Sequence, residues 1–214
     1  MTGMKPVIFG LSGPALTAEE CAFFAESNPA GYILFGRNII DRTQVRTLTD
    51  ALRALHGRDD LPVLIDQEGG RVLRMGPPVW PDFPAAATFD ALYERAPISA
   101  LEAVRVNARA IGLVLAEVGI NVNIAPVLDV RRPETHAAIG ERSFGYHPMR
   151  VASMGAAMLD GLRQAGVVGV IKHMPGQGRA TVDTHMICRW LTRATPTSPP
   201  ICSRLNDCTM RRWR

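Results

Sequence analysis

The chain has 214 residues, 47% of them hydrophobic, which is enough for one domain with a sizeable core. It has no apolar run near the roughly 18 residues that a membrane-spanning helix needs. The formal charge of +4 does not point to nucleic acid, because it is concentrated at one end. Residues 186–214 hold six arginines and one acid, a net of +5, whereas residues 1–185 carry 18 basic and 19 acidic side chains, a net of −1. The opening stretch lacks a basic segment followed by a long apolar one, so it reads as a first strand rather than a signal peptide, and a cytoplasmic protein is expected. The spacing of Cys188, Cys202 and Cys208 matches no zinc pattern, and with Cys21 they read as inert thiols.

In chain order, residues 7–11 form a short apolar run, the first predicted strand. Thr17-x-x-Glu20 is a capping box that opens a helix through about residue 26. Residues 31–36, Gly-Tyr-Ile-Leu-Phe-Gly, read as a second strand. Val45, Leu48, Leu52 and Leu55 recur at helical spacing up to Gly57, a suitable stop. Residues 61–66 are a third strand, and a long Pro- and Gly-rich loop is expected from there to about Pro97. Ser99-x-x-Glu102 looks like a second capping box, before a stripe of Leu101, Val104, Ala108, Ile111, Leu115 and Val118. Residues 121–125 are a fourth strand, followed by a second long loop to about His147. Val151, Met154, Met158 and Leu162 mark another helix, and residues 167–171 a fifth strand.

Strands thus alternate with helices, and the strands are continuous apolar runs. That pattern belongs to a parallel sheet covered by helices. Both an open doubly wound sheet and a (β/α)8 barrel fit it. The polar, Gly-rich stretches follow all five strands, which is the habit of a barrel that builds its site from many βα loops. An open sheet would concentrate them at one switch point, and no G-x-G-x-x-G follows the first strand. The expected fold is therefore an α/β barrel of the TIM type, incomplete, with about five βα units in residues 1–185. Beyond residue 185 the periodicity stops, and charge, cysteine and proline content change abruptly. Residues 186–214 read as out-of-frame or truncated sequence, with a flexible natural tail as the other reading.

Four loops carry groups suited to chemistry. In residues 172–185, Lys172 and His173 stand at a strand end, where side chains can face a site. Asp183 and His185 are two apart, and in an irregular loop that spacing lets the carboxylate orient the imidazole for proton transfer near neutral pH. By itself the pair also fits a turn in which Asp183 caps a backbone amide and His185 is solvated. In residues 66–74, Asp66 ends a buried strand, Gly69-Gly70 permits a sharp turn, and Arg71 and Arg74 either face a ligand or pair with Asp66 and Glu68. Residues 139–145 place Arg142 near glycines, and residues 123–129 end a strand on Asp129.

Taken together and in this order, residues 31–36, 65–71, 123–129, 140–145 and 172–185 resemble the N-terminal barrel of glycoside hydrolase family 3, in its bacterial β-N-acetylhexosaminidase (β-N-acetylglucosaminidase) branch. Asp183-Thr-His185 is similar to the Asp-Ser-His signature that separates this branch from the family's β-glucosidases. The resemblance implies a retaining hydrolase of terminal β-linked N-acetylglucosamine that uses neither metal nor cofactor. It implies His185 as general acid/base with Asp183 as its partner, and Asp66, Arg74, Arg142, Lys172 and His173 as binders of the N-acetylglucosamine ring. The implied partners are N-acetylglucosamine-containing saccharides or muropeptides from cell-wall peptidoglycan recycling, with no nucleic acid and no membrane. The sequence departs from the family at Met174, where a Phe is usual, and at Gly176-Gln177-Gly178, where Gly-His-Gly is usual. The family nucleophile, an aspartate in a later barrel loop, has no match, and Asp207 lacks its flanking residues. Expectation is therefore that this chain is inactive as written. The alternatives are a β-glucosidase of the same family, or a non-catalytic sugar-binding fragment or pseudogene product.

Overall fold

A computed structural model describes residues 3–183. Strand β1 (Lys5–Gly10) leads to helix α1 (Ala18–Ser27), β2 (Pro29–Leu34), α2 (Arg42–His56) and β3 (Val63–Ile65). A two-stranded antiparallel ribbon follows, β4 (Gln67–Gly69) and β5 (Val72–Leu73). Then come α3 (Ala86–Tyr93), α4 (Pro97–Glu117), β6 (Val122–Asn123), α5 (Pro148–Gln164) and β7 (Val168–Gly169). The main sheet runs β1-β2-β3-β6-β7, every pair parallel and in chain order. No strand order reverses, so the open doubly wound alternative is excluded and the wall of an incomplete barrel remains. Among the described residues, no helix is long and apolar enough to cross a membrane.

Local chemistry accounts for most boundaries. Thr17 Oγ1 accepts from the Glu20 amide at 3.1 Å while Glu20 accepts from the Thr17 amide at 3.0 Å, closing the expected capping box of α1. Asp41 caps α2 through the Gln44 amide at 2.8 Å, and Gly57 ends that helix at φ +59°, a conformation glycine adopts without a Cβ clash. The box expected at Ser99 does not form. Helix α4 already starts at Pro97, because a proline in the first turn has its φ preset and gives up only an amide the helix leaves unbonded. The long loop expected between residue 66 and Pro97 contains β4, β5 and α3, all too short for periodicity to reveal. Strands β3, β6 and β7 are also shorter than their apolar runs.

The core lies between the sheet and its helices. Leu34, Ile65, Leu52, Ile111 and Met154 are fully buried within it. Helices α4 and α5 approach closely because Gly161 lies against the Arg105 carbonyl, where a Cβ would collide with backbone. Arg105 Nε donates to Asp160 Oδ2 at 2.9 Å across the same seam. The outer strands are less covered, with Ile8 on β1 47% exposed and Val168 on β7 62% exposed.

Candidate active site

The C-terminal ends of the parallel strands carry a concentration of charge. Asp66 follows β3 directly, and Lys172 lies three residues past β7, where it bridges to Val127. Lys172 Nζ donates to Asp66 Oδ1 at 2.7 Å and also contacts Glu68. Arg142, at the end of a single 3-10 turn (Gly140–Arg142), forms a two-pronged pair with Glu68: Nε to Oε2 and Nη2 to Oε1, both 2.8 Å. Arg142 also donates to the Ala138 carbonyl at 3.0 Å. Arg74 approaches Asp66 at 3.7 Å, and its Nε is buried with no hydrogen-bond partner among the described residues.

His173 completes the network. Its Nδ1 is 2.5 Å from Asp129 Oδ2, and its Nε2 is 3.4 Å from Arg142 Nη2. An ionised carboxylate only accepts and a guanidinium only donates. Both contacts are therefore satisfied by a neutral ring that carries its proton on Nδ1 and offers the Nε2 lone pair. Asp129 also accepts from the Gln177 amide. Burial pushes the Asp129 carboxyl up, but the hydrogen bonds from His173 and Gln177 and the Arg142 charge outweigh it and hold it below the usual carboxylate range. A cleft of about 500 Å³ opens on the β7 side of this network, bordered by Asp129, Lys172, His173, Met174 and Gly176.

Backbone geometry fixes these groups in place. Asp66 and Glu68 are two apart in extended chain, so both face the site while Gln67 points into the core. Gln67 Oε1 accepts from the amides of Arg74 and Met75 at 3.0 and 3.1 Å, and its Nε2 donates to the Met75 carbonyl at 2.7 Å. The buried Asn123 side chain bonds both the amide and the carbonyl of Gln67, splicing β6 to the segment that carries Asp66 and Glu68. Arg71 does not reach the site; it donates to the carbonyls of Ala137 and Ala138 at 2.6 Å and so ties two loops together. The loop after β7 is sewn to the loop after β6 by Asp129, by the His136 amide bonding the Ala180 carbonyl at 2.8 Å, and by Thr135 bonding the Gly178 carbonyl.

Five residues singled out from sequence (Asp66, Arg74, Arg142, Lys172 and His173) thus meet in one network. Asp183 is half-buried at the end of the described residues, and His185 lies outside them. Glu68 and Asp129 were not put forward as site residues, yet they hold the network together. The two-residue spacing of Asp66 and Glu68 after a buried strand was the available signal for the first. For Asp129 it was an acid at a strand end.

Comparison with known proteins shows the family and the fold. Residues 8–195 match the family described as glycosyl hydrolase family 3 N-terminal domain; the match extends past residue 185 into the stretch read from sequence as a tail. A β-hexosaminidase of Xanthomonas euvesicatoria is 38% identical over 183 residues, covering 84% of this chain and 53% of that protein. The chain spans about half the length of the curated relatives it matches. NagZ from Neisseria gonorrhoeae superposes with a TM-score of 0.79 at 32% identity, over 85% of this chain and 52% of that one. The same enzyme in complex with N-trifluoroacetyl-D-glucosamine also gives 0.79 at 32% identity, over 85% and 53%. A β-N-acetylhexosaminidase from Beutenbergia cavernae gives 0.71 at 32% identity, over 83% and 54%.

Proposed function

The chain belongs to the glycosyl hydrolase family 3 N-terminal domain family, and from that membership we propose that it forms the sugar-binding part of a retaining β-N-acetylhexosaminidase acting on terminal β-linked N-acetylglucosamine. One observation carries the reading: Asp66, Arg74, Arg142, Lys172 and His173 share a single network at the C-terminal ends of the strands. A sugar ring is held by carboxylates that accept from its hydroxyls and by cations that donate to its oxygens. Asp66 has acceptor capacity left over from Lys172, and the Arg74 side chain, 35% exposed, keeps guanidinium donors beyond its approach to Asp66. The relatives support the substrate class, since they are β-hexosaminidases and a NagZ held with an N-acylglucosamine analogue.

In this reading His185, oriented by Asp183, protonates the departing glycosidic oxygen and later activates water. A carboxylate nucleophile forms the intervening glycosyl-enzyme. No residue of this chain is assigned that role, so the 214 residues alone bind sugar without turning it over. In this reading the sugar-binding portion comprises residues 1–185, while the family match itself runs over residues 8–195. Muropeptides from cell-wall recycling, in the cytoplasm, are the proposed natural substrates.

The test is cleavage of an aryl β-N-acetylglucosaminide by the 214-residue chain beside a version restored to the relatives' length. Turnover is expected only in the restored version, and His185→Ala there should lose about 10²–10⁴-fold while sugar binding persists. Turnover by the 214-residue chain near that of the restored one would overturn the missing-nucleophile reading. Unchanged turnover in His185→Ala on a substrate with a poor leaving group would remove the acid role.

A further inference from the structure

The charged groups of the site differ in what they still have to offer a ligand. Asp66 keeps most of its lone pairs, and the Arg74 side chain is 35% exposed. Glu68 is different. Its side chain is only 7% exposed; one oxygen receives both Arg142 and Lys172, and the other receives Arg142 Nε. Three of its four lone-pair positions are taken by cations, so little remains with which to hold a sugar hydroxyl.

We propose that Glu68 is the positioning residue of this site: it touches no sugar, and it sets where the free donors of Arg142 and Lys172 point. The proposal rests on the sugar-binding reading given above. Two cations converge on one Glu68 oxygen, and their approach is tolerable only because that oxygen is anionic. With the two prongs on Glu68 and Nη1 on the Ala138 carbonyl, the guanidinium plane is fixed and one Nη1 hydrogen is left over. Lys172, bonded to both Asp66 and Glu68, likewise keeps one ammonium hydrogen. The buried Gln67–Asn123 amide pair makes Glu68 a fixed point, because it holds the backbone on which Glu68 stands. A chain of contacts then runs from buried Asp129 through His173, Arg142, Glu68 and Lys172 to Asp66. Glu68 is the link that joins its β6 side to its β3 side.

An amide in place of this carboxylate presents an NH2 group to one of the cations and removes the charge that balances both. Glu68→Gln in the 214-residue chain should therefore bind N-trifluoroacetyl-D-glucosamine, followed by its ¹⁹F resonance, roughly tenfold or more weakly than the parent. Circular dichroism should show the fold retained. The Arg142 Nε–H resonance should be sharp and slowly exchanging in the parent, where Nε donates to Glu68, and should broaden in Glu68→Gln. Glu68→Asp, which keeps the charge on a shorter stem, should recover part of both signals, and Glu141→Gln, outside the network, should change neither. Parent-like binding in Glu68→Gln would overturn the proposal. Weakened binding with an unchanged Arg142 resonance would also overturn it, since Glu68 would then be touching the sugar itself. If Glu68→Gln fails to fold, Glu68→Asp decides by the same two signals. If the parent binds no probe, the sugar reading fails, and the Arg142 resonance still decides whether Glu68 organises the cations.

Discussion

Strands β3 and β7 come from similar sequence and meet very different surroundings. Each lies in a short apolar run, residues 63–65 and 167–171, that is followed by a charged residue, Asp66 after one and Lys172 after the other, and those two residues bond at 2.7 Å. Strand β3 is hydrogen-bonded to β2 on one side and β6 on the other, and Val63 and Ile65 are fully buried. Strand β7 pairs with β6, and among the described residues it has no second neighbour; Val168, Val170 and Ile171 are 62, 38 and 43% exposed. An apolar run therefore states what a strand is suited to, and its neighbours decide how much of it is covered. One half of the site stands on a fully packed strand. The other half is held chiefly by loop-to-loop bonds through Asp129.

Three measurements sharpen or break this comparison. The largest effect is expected on the β3 side. Ile65→Ala removes a fully buried side chain from between two strands and should cost about 2–5 kcal/mol in denaturant unfolding. A loss below about 1 kcal/mol would mean that the β3 region repacks freely and is no firmer than β7.

Next comes the polar clasp that fastens the β7 side. Asp129→Asn weakens the bonds to His173 and Gln177 and should cost about 1–3 kcal/mol at neutral pH. Folding favours the ionised Asp129, whose carboxyl is held below its ordinary value. The stability it contributes is therefore present above about pH 4, the unfolded carboxyl value, and is lost as pH falls through the lower folded value. Urea midpoints followed downward from about pH 5 should drop less steeply in Asp129→Asn than in the parent. Equal slopes would show that Asp129 does not fasten the loop through its charge.

The smallest effect is expected at the uncovered strand. Val168→Ala should change stability by no more than about 0.5 kcal/mol, because the side chain leaves water only in part. A cost matching that of Ile65→Ala would show that β7 is covered as deeply as β3 and would end the contrast between them.

Much of this was readable in the chain. Val45, Leu48 and Leu52, and later Val151, Met154, Met158 and Leu162, lie at helical spacing because a helix must bury one stripe, and all of them are buried. Apolar runs followed by Gly-rich polar loops declared parallel strands with their chemistry at one end. Asp66, Arg74, Arg142, Lys172 and His173 could be named because each belongs to a motif or stands at a strand end. Ser99 misled because a capping box and a helix interior can share one spelling, and the proline two residues earlier took precedence.

Periodicity and motif are local, so sequence alone determined the strands of the main sheet and the four longest helices, which family they resemble and which loops hold polar groups. The tertiary structure alone decided which of those groups touch. Glu68 lies 74 residues from Arg142, and Asp129 lies 44 from His173. No spacing rule reaches so far. Those pairs exist because parallel strands bring their ends to one face, where a carboxylate losing its water must find a cation or a donor from another strand.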